Sequence, residues 1–271
     1  AARSNRICMI VESQNSSERS TAGSLRVLTY NTYYFPRIEA MRDLIRRADA
    51  DVICLQEVLV TDSERTPANQ AQWLAEELGY YLAINSNWRR YQGTGGNALL
   101  LRTPPIETDV LVDSEGYRFA ITAIHEVAGQ QFAIVAGHFL WLPRPLPIGF
   151  VASIFRRTSQ IRQAVNWAKV TGLPALIAGD FNMLPWSPEY WSIAPRLTDC
   201  SRAVAVNHRN TRPTWGFAAQ LDYVFVSNHF EVLACQTVDF SASDHRPVIA
   251  DIAMRADRQN YGASSSSLAA S

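Results

Sequence analysis

Several short stretches of this sequence place carboxylates, carboxamides and imidazoles where apolar runs stop. The most informative is Pro174-Ala175-Leu176-Ile177-Ala178-Gly179-Asp180-Phe181-Asn182, which reads as a buried strand that surfaces abruptly. Side chains alternate across a strand, so Asp180 and Asn182 are expected on one side and Phe181 in the packing. Asn31 closes the run Leu25 to Tyr30, and Gln56-Glu57 closes Asp51 to Leu55. His138 closes the run before it, and Ser243-Asp244-His245-Arg246-Pro247 opens the last one.

Carboxylate, carboxamide and water oxygens are the donors a hard Mg²⁺ ion takes, in an open octahedral site that keeps several waters. Glu57 and Asp244 offer such oxygens, and no Cys/His set suited to zinc is present. Asp244 and His245 are adjacent and point apart, so His245 needs an orienting carboxylate from elsewhere. Asp222, inside Leu221-Asp222-Tyr223-Val224-Phe225, is the natural partner. A charge flanked by apolar strand residues needs such a partner, and an Asp–His pair fixes the tautomer and raises basicity. Either Asp180 or His245 can serve as the general base on this reading.

These stretches, in this order, resemble the motifs of the endonuclease/exonuclease/phosphatase superfamily: Tyr30-Asn31, Gln56-Glu57, Gly137-His138, Gly179-Asp180-Phe181-Asn182, Asp222-Tyr223 and Ser243-Asp244-His245-Arg246-Pro247. The resemblance covers roughly residues 25 to 254 and implies Mg²⁺- or Mn²⁺-dependent hydrolysis of a phosphodiester substrate. It implies that Glu57 binds metal with Asn31 beside it, and that Asp244 is a further metal-side carboxylate. Asp180 and Asn182 resemble the pair that positions nucleophile and phosphate, Asp222 the orienting carboxylate, and His245 the general base. His138 resembles the second histidine of the deoxyribonuclease and sphingomyelinase branches, without an identifiable carboxylate partner. Arg118 resembles a phosphate-contacting arginine, and Asn97, in Gly95-Gly96-Asn97-Ala98, a site-lining position.

The elements that must hold these residues follow from the hydrophobic pattern. Helical spacing marks Ile38 to Ala48, Gln70 to Leu78 and Phe155 to Val170, with a short helix at Ser187 to Ile193. Strands are expected at Tyr80 to Ile84, Asn97 to Arg102, Arg118 to Val127, Gln131 to Phe139, Leu221 to Val226, Phe230 to Val238 and Pro247 to Met254. Helices beside early and middle strands, with hairpins elsewhere, predict an α/β four-layer sandwich: two packed, mostly antiparallel mixed sheets with helices outside. The resemblance implies the same fold. A single doubly wound sheet is the alternative, but no Gly-rich phosphate loop follows the first strand.

A chain of 271 residues fits one large domain at 25–254. It is flanked by Ser-, Arg- and Asn-rich 1–24 and Ser-rich 255–271, both expected as flexible tails. With 47% hydrophobic and 18% charged residues the composition is globular. The formal charge is zero, so no overall basic excess draws the chain to nucleic acid or acidic membranes. No apolar run approaches the ~18 residues of a transmembrane segment, and four scattered cysteines make no disulfide framework. Cys54 is expected in the core. Cys200 and Cys235 can pair only if the fold joins them.

Two stretches bear on substrate. Phe139-Leu140-Trp141-Leu142-Pro143-Arg144-Pro145-Leu146-Pro147-Ile148-Gly149-Phe150 follows His138, so Trp141 either fills the domain's own core or meets a greasy substrate. Trp88-Arg89-Arg90-Tyr91 interleaves arginine with aromatics, as phosphate contact and base stacking require, or is an ordinary surface loop. Three functions remain on this reading: a phosphodiesterase of lipid or small-molecule substrates, a nuclease, and a catalytically silent binding protein on the same fold.

Overall fold

A computed structural model describes residues 8–9, 24–34, 37–60, 70–90, 93–140, 148–214 and 217–255. Trp141 and Tyr91 lie outside these residues. The first half of the chain runs β1 (Cys8–Met9), β2 (Ser24–Asn31), α1 (Ile38–Ala48), β3 (Val52–Val60), α2 (Gln70–Leu78), β4 (Tyr81–Arg90), β5 (Gly93–Leu101), β6 (Glu107–Val112), β7 (Arg118–Val127) and β8 (Gln130–His138). The second half runs α3 (Ile148–Val170), β9 (Ala175–Asp180), α4 (Pro188–Ile193), β10 (Thr198–Asp199), α5 (Cys200–Ala203), β11 (Arg212–Thr214), β12 (Phe217–Ala219), β13 (Asp222–Val226), β14 (Phe230–Thr237) and β15 (Val248–Met254).

The strands form a seven-stranded sheet, β1-β4-β5-β3-β2-β15-β14, and a six-stranded sheet, β10-β13-β9-β8-β7-β6. A β11-β12 hairpin stands apart. Pairing is antiparallel except β2–β3 and β8–β9, each joined by a connection that contains a helix. Side-chain alternation explains why the strands read as unbroken apolar runs: both faces of each sheet are covered. Val27, Cys54, Leu99, Ile134, Leu176 and Val224 meet between the sheets. Their neighbours Leu28, Ile53, Leu55 and Leu100 pack outward against Met41, Leu44 and Ile45 of α1 and Leu74 of α2. Across the molecule, Val135, Ile177 and Phe225 pack outward against Ile161 of α3 and Tyr190 and Ile193 of α4. The result is helix, sheet, sheet, helix: the four-layer sandwich expected from the sequence, in place of a single doubly wound sheet.

Differences from the expected elements are local. β3 continues past Leu55 through Gln56-Glu57, with a bulge between Leu55 and Val58. α3 begins at Ile148, so the end of the apolar stretch after His138 is helical. β6 is an edge strand with half-buried and exposed residues interspersed. Cys8–Met9, within the segment expected as a tail, pair with Ala83 and Leu82 of β4. Cys54, Cys200 and Cys235 are buried free thiols, so Cys200 and Cys235 share one cluster without a disulfide.

Candidate active site

Strand register brings the chemistry to one edge. In the six-stranded sheet His138 lies opposite Asp180, and Asp180 opposite Asp222, so three adjacent strands present these side chains in a row. Gly179 makes the close approach possible. A Cβ there would sit 1.8 Å from the Gly137 carbonyl oxygen, and its φ of +149° suits glycine. In the other sheet Asn31 ends β2 opposite Gln56.

The bulge in β3 puts Glu57 at φ +53°, off the regular alternation. It is held from β2's end. The Thr32 hydroxyl donates toward the Gln56 and Glu57 carbonyls at 3.0 and 2.9 Å, and the Tyr34 N–H donates to the Glu57 carbonyl at 2.8 Å. Left-handed backbone at Tyr33, Tyr34, Glu57 and Asn182 therefore clusters at this edge, as strained backbone does at functional sites.

Asp180 Oδ2 is the hub. It accepts from Asn31 Nδ2 at 2.9 Å and lies 3.7 Å from His138 Nε2 and 3.8 Å from His245 Nε2. Glu57 Oε1 lies 3.3 Å from Asn31 Nδ2 and 3.7 Å from His138 Nε2. His245 Nδ1 meets Asp222 Oδ2 at 2.8 Å, the pairing expected from sequence. With Nδ1–H given to Asp222, Nε2 is left facing Asp180. Burial opposes a charged His245, but Asp222 and Asp180 outweigh it and raise the imidazole to about 9. Burial raises the Asp222 carboxyl, with His245 pulling it back.

Other expected residues sit differently. The strand stops at Asp180, so Asn182 does not continue the alternation. Its N–H caps Asp180 Oδ1 at 2.9 Å, and its Nδ2 donates to the Phe139 carbonyl at 3.0 Å. Asp244 turns to Arg212, at 3.2 Å. Asn97 is buried between the sheets, donating to the Phe119 carbonyl at 3.2 Å, while Arg118 is exposed beside it. Sequence reasoning missed the supporting layer. Asn85 accepts from the Asn97 N–H at 3.0 Å and donates to the Arg118 carbonyl at 3.3 Å. Ser243 donates to the Asn31 carbonyl at 2.8 Å and accepts from the His245 N–H at 3.1 Å. Tyr117 lies close enough to Glu57 and Asp180 to feel their charge; burial, aided by these anions, raises its phenol. Only Ser243, inside a quoted motif, carried a signal that could have found it.

The donor set suits a hard divalent cation. Glu57 Oε2 is buried with no hydrogen-bond partner among the described residues, a costly position for an ionised oxygen without a cation. Asp180, Asp222 and His245 also bring ligand atoms within 4.8 Å of one another. Oxygen donors dominate, as Mg²⁺ and Mn²⁺ prefer.

Comparison with known proteins agrees. The chain is 29% identical over 182 residues to the Escherichia coli protein YbhP, covering 59% of this chain and 67% of that protein. Its fold matches an endonuclease/exonuclease/phosphatase from Bacteroides vulgatus with a TM-score of 0.72 at 20% identity, over 86% of this chain and 99% of the other. It also matches D. rerio TDP2 complexed with single strand DNA product, with a TM-score of 0.65 at 14% identity, over 84% and 98%. At these identities the structural matches show the fold alone. Residues 28–245 match the model of the endonuclease/exonuclease/phosphatase family, whose members are generally phosphoester hydrolases that typically use a divalent metal. The chain belongs to the endonuclease/exonuclease/phosphatase family.

Proposed function

We propose that this protein is a Mg²⁺- or Mn²⁺-dependent phosphodiesterase. The observation that carries the reading is the 2.8 Å Asp222–His245 pair, whose free Nε2 faces Asp180 beside the unpartnered oxygen of Glu57. Glu57 would hold the cation, with Asn31 and Asp180 alongside; Asp244 is engaged by Arg212. What the cation supplies when bound is neutralisation of phosphate oxygens and of the leaving group's developing charge. With a cation beside Asp180 offsetting the charge that raises it, His245 is a neutral imidazole whose Nε2 takes the proton of the attacking water, while Asp222 keeps the tautomer and steadies the imidazolium. Asp180 Oδ2, already accepting from Asn31, orients that water rather than taking its proton. His138 and Asn182 steady the phosphate oxygens.

For substrate, we favour lipid or small-molecule phosphodiesters. Phe155 on α3 and Trp186 and Trp191 around α4 are 72%, 64% and 60% exposed. In chain order, α3 follows the segment that leaves His138, and Trp186 and α4 follow the turn that leaves Asn182. A nuclease is the second reading. Exposed Arg118 suits a phosphate backbone, Trp186 suits base stacking, and the similar TDP2 fold carries a DNA product.

A Mg²⁺- or Mn²⁺-supplemented panel of sphingomyelin vesicles, plasmid DNA, RNA and bis(p-nitrophenyl) phosphate tests both readings. Hydrolysis should vanish with chelator, and Asp222→Asn should lose about 10²–10⁴-fold while folded. Trp186→Ala should leave melting temperature and the soluble diester rate unchanged and slow hydrolysis of vesicles. Loss on DNA with vesicles untouched favours the nuclease. No turnover on any member returns the chain to a silent binding protein.

A further inference from the structure

Thr211 lies outside every motif and every strand, yet it is 1% exposed and bonds the backbone of Asp222 and of Arg246, the residue after His245. Its hydroxyl oxygen accepts from the N–H groups of Leu221 at 2.9 Å and Asp222 at 3.1 Å. Its carbonyl accepts from the Arg246 N–H at 2.6 Å, one residue beyond His245. Its own N–H donates to the Ala219 carbonyl at 3.0 Å, which fixes it to the β11-β12 hairpin. The next residue, Arg212, reaches Asp244 on the other side of His245 at 3.2 Å.

Asp222 Oδ1 is buried without a hydrogen-bond partner among the described residues. The carboxylate's direction is therefore set by its backbone, by the bond from Oδ2 to His245 and by the Thr211 side chain beside it. The backbone of Asp222 is held by Thr211 Oγ1, and the backbone after His245 by Thr211 O. One side chain and one carbonyl of the same residue thus fix the separation of two groups that must stay 2.8 Å apart.

We propose that Thr211 is a positioning residue for the Asp222–His245 pair, acting as a clasp between the start of β13 and the loop that carries His245. Its kinetic consequence rests on the proposed hydrolysis, but its structural consequence does not. A threonine that merely satisfied a turn would leave the dyad's geometry intact when its hydroxyl is removed. A clasp cannot, because two buried N–H groups lose their acceptor at the residue that orients the imidazole.

The test compares wild type with Thr211→Val, which keeps the shape and removes the hydroxyl, and Thr211→Ser, which keeps the hydroxyl. The first readout is the low-field proton NMR signal of His245 Nδ1–H in the full chain, assigned by its disappearance in Asp222→Asn. Thr211→Val should shift or broaden this signal by exchange, and Thr211→Ser should restore it. The second readout is turnover of bis(p-nitrophenyl) phosphate with Mn²⁺. Thr211→Val should lower kcat by about tenfold or more with KM nearly unchanged, a loss on the scale of a broken supporting contact, and Thr211→Ser should recover it. If Thr211→Val does not fold, Thr211→Ala, which leaves space rather than crowding, reads the same signal. A folded variant without the hydroxyl whose signal matches wild type overturns the proposal. A wild-type protein that turns over no diester, yet shows the signal and its loss in Thr211→Val, overturns the hydrolase reading and leaves the clasp standing.

Discussion

Glu57 offers one carboxylate oxygen to Asn31 and buries the other without a donor. An ionised oxygen in that position destabilises the metal-free fold and stabilises the loaded one, because a cation is the partner it lacks. Glu57→Gln preserves the shape, can still meet Asn31, and removes the charge. In chelator the variant should melt no lower than wild type. On adding Mg²⁺ or Mn²⁺, wild type should gain stability by mass action, about 2.7 kcal/mol at a hundred times Kd, and the variant should gain little. Calorimetric melting across a metal series checks this; an equal gain in the variant would move the cation away from Glu57. Glu57 was legible as a polar residue ending an apolar run. Its direction was not, because a bulge with φ +53° and the Thr32 contacts across the β2–β3 pair leave no periodic trace in β3 itself.

At the scale of elements, α3 is turned the opposite way from an ordinary surface helix over its first half. Ser153, Arg157 and Gln160 are buried, while Phe155 is exposed. The buried polar groups hold the chain that leaves His138. Gln160 Oε1 accepts from the Leu140 N–H at 2.9 Å, and Arg157 Nη1 donates to the Leu140 carbonyl at 3.1 Å. Arg157 Nε also meets Glu189 Oε1 of α4 at 3.0 Å, with both residues buried. Removing one member of a buried pair leaves an uncompensated charge and typically costs about 3–5 kcal/mol, whereas replacing both with apolar groups is often near neutral. Glu189→Leu and Arg157→Met should each be strongly destabilising in denaturant titrations, and the double variant far less so than their sum. Simple additivity would show that the pair is not coupled. This inversion explains why the sequence pattern located the helix from Phe155 onward but not from Ile148. Apolar periodicity marks a helix only when its apolar face is the buried one. The edge strand β6 escaped for a related reason, since Glu107 to Val112 is too polar for a two-sided strand and has a partner on one side only.

For the whole molecule, the two parallel pairs β2–β3 and β8–β9 direct their C-terminal ends to the edge where the antiparallel strands β13 and β15 begin. That common edge is why motifs far apart in the chain were readable as one site, while Thr211, Arg212 and Asn85, set by contacts rather than by pattern, were not. At the far end of β7 the same burial produces a different histidine. His125 is 1% exposed, packs edge-on against Phe132, and meets the Thr103 hydroxyl at 3.2 Å. Burial pushes its imidazole down to about 4, with smaller opposing effects from Pro104 and Glu126. The folded protein therefore keeps His125 neutral where an unfolded chain, near 6.5, takes up a proton. Stability from this residue is complete above pH 6.5 and is lost as pH falls toward 4, by up to about 3 kcal/mol. His245, raised to about 9, acts with the opposite sign and only above pH 6.5, so it leaves the acid limb unaffected. Carboxylates also titrate near the lower end, so the decisive quantity is the difference between wild type and His125→Gln, which is neutral throughout. In denaturant titrations from pH 7 to 4, wild type should lose stability relative to the variant, with most of the divergence below pH 6. Parallel curves for the two proteins would show that His125 is charged, or solvated, in the folded state.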